Sequence, residues 1–321
     1  MIKVFPFGRF ILQSPFLRDW EGKEEAQSLL RDEGIFITSD VMSADLIMTS
    51  GLDSKRILAK LLAMMLKYGE QKKYLIWTDE PRFDLSFSPV ISYPFLPKLH
   101  VFNIYTGAYI NNYRFLPSTQ PLEFLKYFEF SHCKTVAVML YRNSQREWSL
   151  QYQGRELDLC YLRTQIALTG HKMGVCDIYG HGWPNGISIG KSRYGNWVDE
   201  KRKILKNYHF NLAFENTNWP NYCTEKIWQA IEFGSLPIYY GQGNAIYEDF
   251  QQESFIDYCQ FENPQDLFRF IQSMTPQEYK QRINLCIEAF NTALLKSEDM
   301  GRGMQELMIL TAKRIHEIVG R

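Results

Sequence analysis

Glu215, Glu225 and Lys226 stand close together in the chain, within Phe214-Glu215-Asn216-Thr217 and Tyr222-Cys223-Thr224-Glu225-Lys226. Carboxylates, an ammonium and hydroxyls in so short a span suit a ligand that is anionic at one end and rich in hydroxyls at the other. A lysine in the first turn of a helix opposes the helix dipole, so a bound phosphate would account for Lys226; a solvated surface lysine is the alternative. Glu225 either satisfies helix-start amides or accepts ribose hydroxyls. Glu215, at the end of a strand, either binds sugar hydroxyls and stabilises positive charge developing on a sugar ring, or partners neighbouring loop amides.

Other candidates lie at strand ends elsewhere. Glu80, in Thr78-Asp79-Glu80-Pro81, can serve as general base for a hydroxyl nucleophile, with Asp79 as its competitor. His181 follows Gly180 after another strand and is either a ligand contact or an ordinary loop histidine. Arg163 lies in an amphipathic helix, where exposure is the default. The chain has no Asp-x-Asp, no P-loop, no G-x-G-x-x-G, no G-x-S-x-G and no H-E-x-x-H. A diphosphate leaving group would then be neutralised by Arg, Lys and helix amides, with no metal expected.

The elements that must position these groups alternate. Phe210–Phe214 reads as a strand ending in the Glu215-Asn216-Thr217 tip, Thr224–Ile231 as a helix stopped by Gly234, and Leu236–Tyr240 as the next strand. Open α/β sheets bind ligands at the carboxyl ends of such strands, and helix N-termini favour phosphate. Earlier strands are expected at Ile2–Phe7, Ala44–Met48 and Lys73–Trp77, with helices at Gly22–Leu30 and Lys55–Leu66. A proline-rich aromatic stretch to about Pro117 argues against long helices there. A second series runs through strands Thr135–Leu140, Val175–Tyr179 and Phe255–Asp257 and helices Leu157–Thr169, Pro264–Ser273 and Pro276–Leu295. The expectation is an α/β chain of two Rossmann-like domains facing across a cleft: residues 1–130 on the acceptor side, 131–300 binding the nucleotide, and a C-terminal helix over 301–321.

Composition sets the outer bounds. The 321 residues carry 36 basic and 36 acidic side chains, so no global field favours nucleic acid or an anionic membrane. The six cysteines are scattered without a Cys-x-x-Cys pair, as buried thiols in a reducing compartment would be. No signal peptide or bilayer-length apolar run is evident, which favours a cytoplasmic location, free or peripheral to a membrane. Oligomeric state is not set by the sequence.

Phe-Glu-Asn-Thr, a four-residue gap, Tyr-x-Thr-Glu-Lys, an apolar helix and Pro-Ile-Tyr-Tyr-Gly together resemble the α1,3/α1,4-fucosyltransferase family; Ser254-Phe255-Ile256-Asp257 and Asp177-Ile178-Tyr179-Gly180 extend the likeness over about residues 134–270. The resemblance implies a GT-B fold and inverting transfer of fucose from GDP-fucose to a glycan acceptor, with N-acetylglucosamine's 3-OH or 4-OH as the family expectation. It implies that Lys226 binds diphosphate, Glu225 ribose, and Arg163 phosphate. Glu215 would lie near fucose, with Asn216, Tyr222 and Thr224 in the same motif and Tyr179, Gly180 and His181 at the neighbouring strand end. Glu80 would be the base. Two departures stand out. The connection from Asn143 to Arg163 is long, so Arg142, Arg146 or Arg155 can share the phosphate role, and the usual Ser-Pro after the base is missing. Another GDP-sugar as donor, or a non-catalytic carbohydrate-binding relative, are the competing readings.

Overall fold

The computed structural model describes residues 1–8, 16, 23–50, 55–81, 90–91, 95–105, 116, 118–131, 136–143, 149–152, 154–191, 196–297 and 300–320. Its contacts separate into two units, Met1–Asn111 with Asp299–Arg321, and Asn112–Glu298.

The first unit contains β1 (Ile2–Phe7), α1 (Lys23–Asp32), β2 (Ile35–Ile37), β3 (Leu46–Ser50), α2 (Lys55–Tyr68), β4 (Lys73–Thr78), β5 (Val90–Ile91) and β6 (Leu99–Asn103). The sheet order is β2-β1-β3-β4-β6-β5, parallel except for the β5 edge. The parallel strands thus follow the flavodoxin-like doubly wound order. They are nearly continuous apolar runs because helices cover such sheets; Leu46, Ile47 and Met48 are fully buried. Gly8 ends β1 at φ +98°, and a Cβ there would sit 2.9 Å from Thr49 Oγ1, so the chain can leave the sheet at that point only as glycine.

The second unit contains β7 (Val136–Met139), the hairpin β8 (Gln151–Tyr152) and β9 (Arg155–Glu156), α3 (Cys160–Lys172), β10 (Cys176–Tyr179), β11 (Ser188–Gly190), α4 (Trp197–Leu205), β12 (Phe210–Leu212), α5 (Glu225–Glu232), β13 (Leu236–Tyr239), β14 (Ile256–Asp257), α6 (Pro264–Ser273) and α7 (Pro276–Ser297). Its parallel sheet runs β11-β10-β7-β12-β13-β14. Leaving out the hairpin, this is the order of dinucleotide-binding sheets, with the topological switch between β7 and β12. The final helix, α8 (Met300–Val319), returns to the first unit, where it packs on α1 and β6 and Thr311 accepts a bond from Trp77 Nε1.

The α/β class and the two Rossmann-like units match the expectation. The units divide at Asn111/Asn112, and a pair of asparagines on α7 ties part of the chain after that point to the second unit. Asn291 Oδ1 accepts from Leu122 N–H at 2.7 Å while its amide donates to Leu122 O at 3.0 Å. Asn284 does the same for Leu125, at 2.8 and 3.0 Å. Segment 118–131 is thereby satisfied by the second unit's last helix.

Sequence-derived boundaries also shift at α3, which starts at Cys160 rather than Leu157. Leu157 is held as extended chain, its N–H donating to Leu150 O, and Asp158 bridges Thr217 and accepts from Cys160 N–H. The expected strand at Thr135 begins at Val136, and Thr135 itself lies outside the described residues. Strands β2, β6 and β11, the hairpin and α4 were not expected.

Candidate functional site

The local sequence explains the frame. Phe210 and Leu212 are buried within β12, paired on both sides by β7 and β13. On α5, Ile227, Trp228, Ala230 and Ile231 are buried at helical spacing. Gly234 at φ +87° closes the helix, its N–H donating to Ile231 O. The tip of β12 and the start of α5 are therefore set side by side at the carboxyl edge of the sheet.

Glu215 lies at that tip and is 2% exposed. Four donors converge on its carboxylate. Oε1 accepts from Thr224 N–H at 2.7 Å and from the Tyr239 hydroxyl at 3.2 Å, while Oε2 accepts from the Thr224 hydroxyl and from Lys226 Nζ, each at 2.8 Å. Thr224 precedes α5 as its N-cap, yet spends its hydroxyl on Glu215 and on Lys226 Nζ at 2.7 Å rather than capping the helix. The sequence left open whether Glu215 faces a sugar or its neighbours; its carboxylate is bonded to its neighbours Thr224, Lys226 and Tyr239.

Lys226 also meets Glu225 Oε1 at 3.5 Å. Burial works against its charge, but Glu215 and Glu225 outweigh that, and the ammonium is held above its ordinary value of 10.5. Burial likewise pushes the Glu225 carboxyl up, and attraction to Lys226 and Lys201 overrides it, bringing the group down to about 2. Both groups are ionised across the neutral range.

Arg163, from α3, directs Nη1 to the carbonyls of Phe214 and Glu215, both at 3.3 Å. It is close enough to Lys226 to repel its charge. Asn216 offers its carbonyl to Leu159 N–H, and Tyr222 is buried with its N–H on Trp219 O. Arg163, Glu215, Asn216, Thr224, Glu225 and Lys226 thus form one constellation, with Tyr222 buried two residues before Thr224.

The remaining candidates are placed differently. The Tyr179 hydroxyl is engaged with that of Tyr208 at 2.9 Å, which donates onward to Asp177 at 2.6 Å. Gly180 is buried at φ +136°, and His181 is exposed, its carbonyl accepting from Arg142 N–H. Arg155 is exposed on β9, with its guanidinium over Gly243; Arg146 lies outside the described residues. Glu80 belongs to the first unit, just beyond β4, half-buried, its N–H donating to Thr78 Oγ1 at 3.0 Å; Asp79 beside it is also half-buried.

Sequence reasoning missed Tyr239 and Lys201 as parts of this network. The signal for Lys201 is masked by the charged run around it and shows only once α4 is known: Val198, Lys201 and Leu205 share one face, and Leu205 and Val198 pack with Ala137 and Phe233. A lysine at a core position of an amphipathic helix is seldom decorative. Among the described residues, no group of three or more His, Cys, Asp or Glu is arranged to hold a metal ion, and no helix is long and apolar enough to cross a membrane.

Residues 163–282 match the family described as glycosyltransferase family 10 (fucosyltransferase), C-terminal part. The constellation just described lies inside this matched segment. The chain is 40% identical over 74 residues to human 4-galactosyl-N-acetylglucosaminide 3-alpha-L-fucosyltransferase FUT6, covering 22% of this chain and 21% of that one. The human 3-galactosyl-N-acetylglucosaminide 4-alpha-L-fucosyltransferase FUT3 is as similar, at 40% over 74 residues, covering 22% and 20%. The matched stretch is about a fifth of the length of these relatives. A solved α1,3-fucosyltransferase aligns over 88% of this chain and 81% of its own, at 18% identity and a TM-score of 0.45. The fucosyltransferase likeness expected from the Phe-Glu-Asn-Thr and Thr-Glu-Lys motifs is therefore found by independent comparison in the same part of the chain.

Proposed function

We propose that the chain is an inverting fucosyltransferase of the GT-B type, which moves L-fucose from GDP-fucose to a hydroxyl of a glycan acceptor. The observation that carries this reading is the Lys226 ammonium at the start of α5, held between Glu215 and Thr224 with Arg163 beside it, inside the segment that matches the fucosyltransferase family. Lys226 and Arg163 gather two cations at this edge of the sheet, which suits a diphosphate.

In the reaction, the acceptor oxygen forms a bond to the fucose anomeric carbon as the bond to the GDP oxygen breaks from the opposite face. Glu80 takes the acceptor proton, with Asp79 as the competing base. Lys226 and Arg163 receive the charge that develops on the departing diphosphate. Glu225 accepts ribose hydroxyls, and Glu215 acts near the sugar through the groups it orders. Asn216, Tyr222, Thr224, Tyr179, Gly180 and His181 line the donor side. The 3-OH or 4-OH of N-acetylglucosamine is the proposed acceptor position, the class of acceptor in the names of the human relatives. No obligatory metal is part of this scheme. A reducing, cytoplasmic setting is proposed as well, in keeping with the burial of Cys160, Cys176, Cys223 and Cys286.

A panel of GDP-sugars, scored by GDP release with and without oligosaccharide acceptors, tests the proposal. Turnover with GDP-fucose and not GDP-mannose supports it. Turnover with a different GDP-sugar transfers the scheme to that donor, and binding without release identifies a non-catalytic relative.

A further inference from the structure

Lys201 is 8% exposed, although it carries an ammonium. Its Nζ donates to Gln229 Oε1 at 3.0 Å. Gln229 lies one turn beyond Glu225 on α5, so the two share a helix face. The helices are clamped further along by Arg202, which reaches Glu232 at 3.5 Å and stacks 4.7 Å over Phe233.

A buried ammonium is costly unless its charge is answered. Besides bonding Gln229, Lys201 acts on the Glu225 carboxylate one turn earlier on α5 and favours its charged form. The resulting series Lys201, Glu225, Lys226, Glu215 alternates in sign from α4 through α5 to the tip of β12. Without Lys201, one ammonium would have to serve two carboxylates, and its attraction for an anionic ligand would fall.

We propose that Lys201 is a positioning residue of the donor site: from α4 it steadies the Glu225 carboxylate and offsets its charge, which leaves Lys226 to meet the donor's diphosphate. This rests on the reading of Glu225 and Lys226 as GDP-binding residues. The charged groups around Glu225 are Lys226 on its own helix and Lys201 from α4, while Arg163 from α3 acts on Lys226.

The test is GDP binding by calorimetry, from pH 4 to pH 8 on the order of one-unit steps, to the whole chain and to Lys201→Met, Glu225→Gln and the double variant. Lys201→Met should weaken GDP binding by about tenfold or more, the scale of one charge-assisted hydrogen bond. It should also introduce an acid limb at higher pH than in the wild type, because Glu225 then protonates more readily. The double variant should bind like Glu225→Gln alone, to within about twofold, as expected if Lys201 acts through Glu225. Wild-type affinity in Lys201→Met, or losses that simply multiply in the double variant, would overturn the proposal. Should Lys201→Met fail to fold, the double variant, which removes both opposed charges, still decides by comparison with Glu225→Gln. A wild-type chain that does not bind GDP, or a Glu225→Gln chain that binds it unchanged, sinks the donor-site reading itself, a result distinct from failure of Lys201 alone.

Discussion

The Glu215 carboxylate, at 2% exposure, accepts the Lys226 ammonium at 2.8 Å. The pair spans the gap between the end of a strand and the start of a helix, and the Thr224 hydroxyl bonds to both members. Removing Lys226 leaves the buried Glu215 charge with only the neutral donors of Thr224 and Tyr239 on it, which is worse than never having had the pair.

Lys226→Ala should therefore lower stability by about 3 kcal/mol and weaken GDP binding. Denaturant titration and calorimetry read the two effects separately. Unchanged GDP affinity in a folded variant would remove Lys226 from the donor site.

The pH dependence of stability follows from Glu225. Its folded value, about 2, lies below the ordinary 4.5, so its contribution is present above pH 4.5 and lost as pH falls through about 2. The size is about 3 kcal/mol at most, for a side chain that is mostly buried. Lys226 acts in the opposite sense at the alkaline end: its contribution is full below 10.5 and is lost as pH rises through its higher folded value. Acid unfolding midpoints should shift less with pH in Glu225→Gln than in the wild type, and parallel curves would refute the assignment.

Glu80→Gln should spare GDP binding while reducing fucose transfer by about a hundredfold or more, the scale of a lost general base. Near-normal turnover would move the base role to Asp79.

A fourth expectation concerns packing alone. A Cβ on Gly170 of α3 would collide with Cys176 Sγ and with the Phe268 ring of α6. Gly170→Ala should cost about 1–3 kcal/mol from overpacking, measured as a lower chemical-denaturation midpoint with GDP affinity preserved.

Much of the second unit was legible because its signals are local. Gly234 stops α5, the apolar run Leu236–Tyr239 is a buried parallel strand, and Asn263 before Pro264 announces α6, where its side chain accepts from Asp266 N–H. Helix α4 was not legible, since Asp199, Glu200, Lys201, Arg202 and Lys203 read as a solvated stretch and hide the three-residue core face. Strand β6 was obscured by the prolines before it. Within the site, the sequence proposed Glu215, Glu225 and Lys226 as candidates but left their partners open. The partner that turns Glu215 inward, Tyr239, comes from the next strand and is joined only by the tertiary fold.

The asparagines of α7 carry a consequence for biosynthesis. Leu122 and Leu125 find their side-chain amide partners 169 and 159 positions downstream. On a chain emerging from the ribosome, the first stretch of the second unit has no such partners until almost all of that unit has been made. Its last helix to be synthesised is thus the one that latches its beginning, and a nascent chain cut short before Asn284 carries the entry segment undocked.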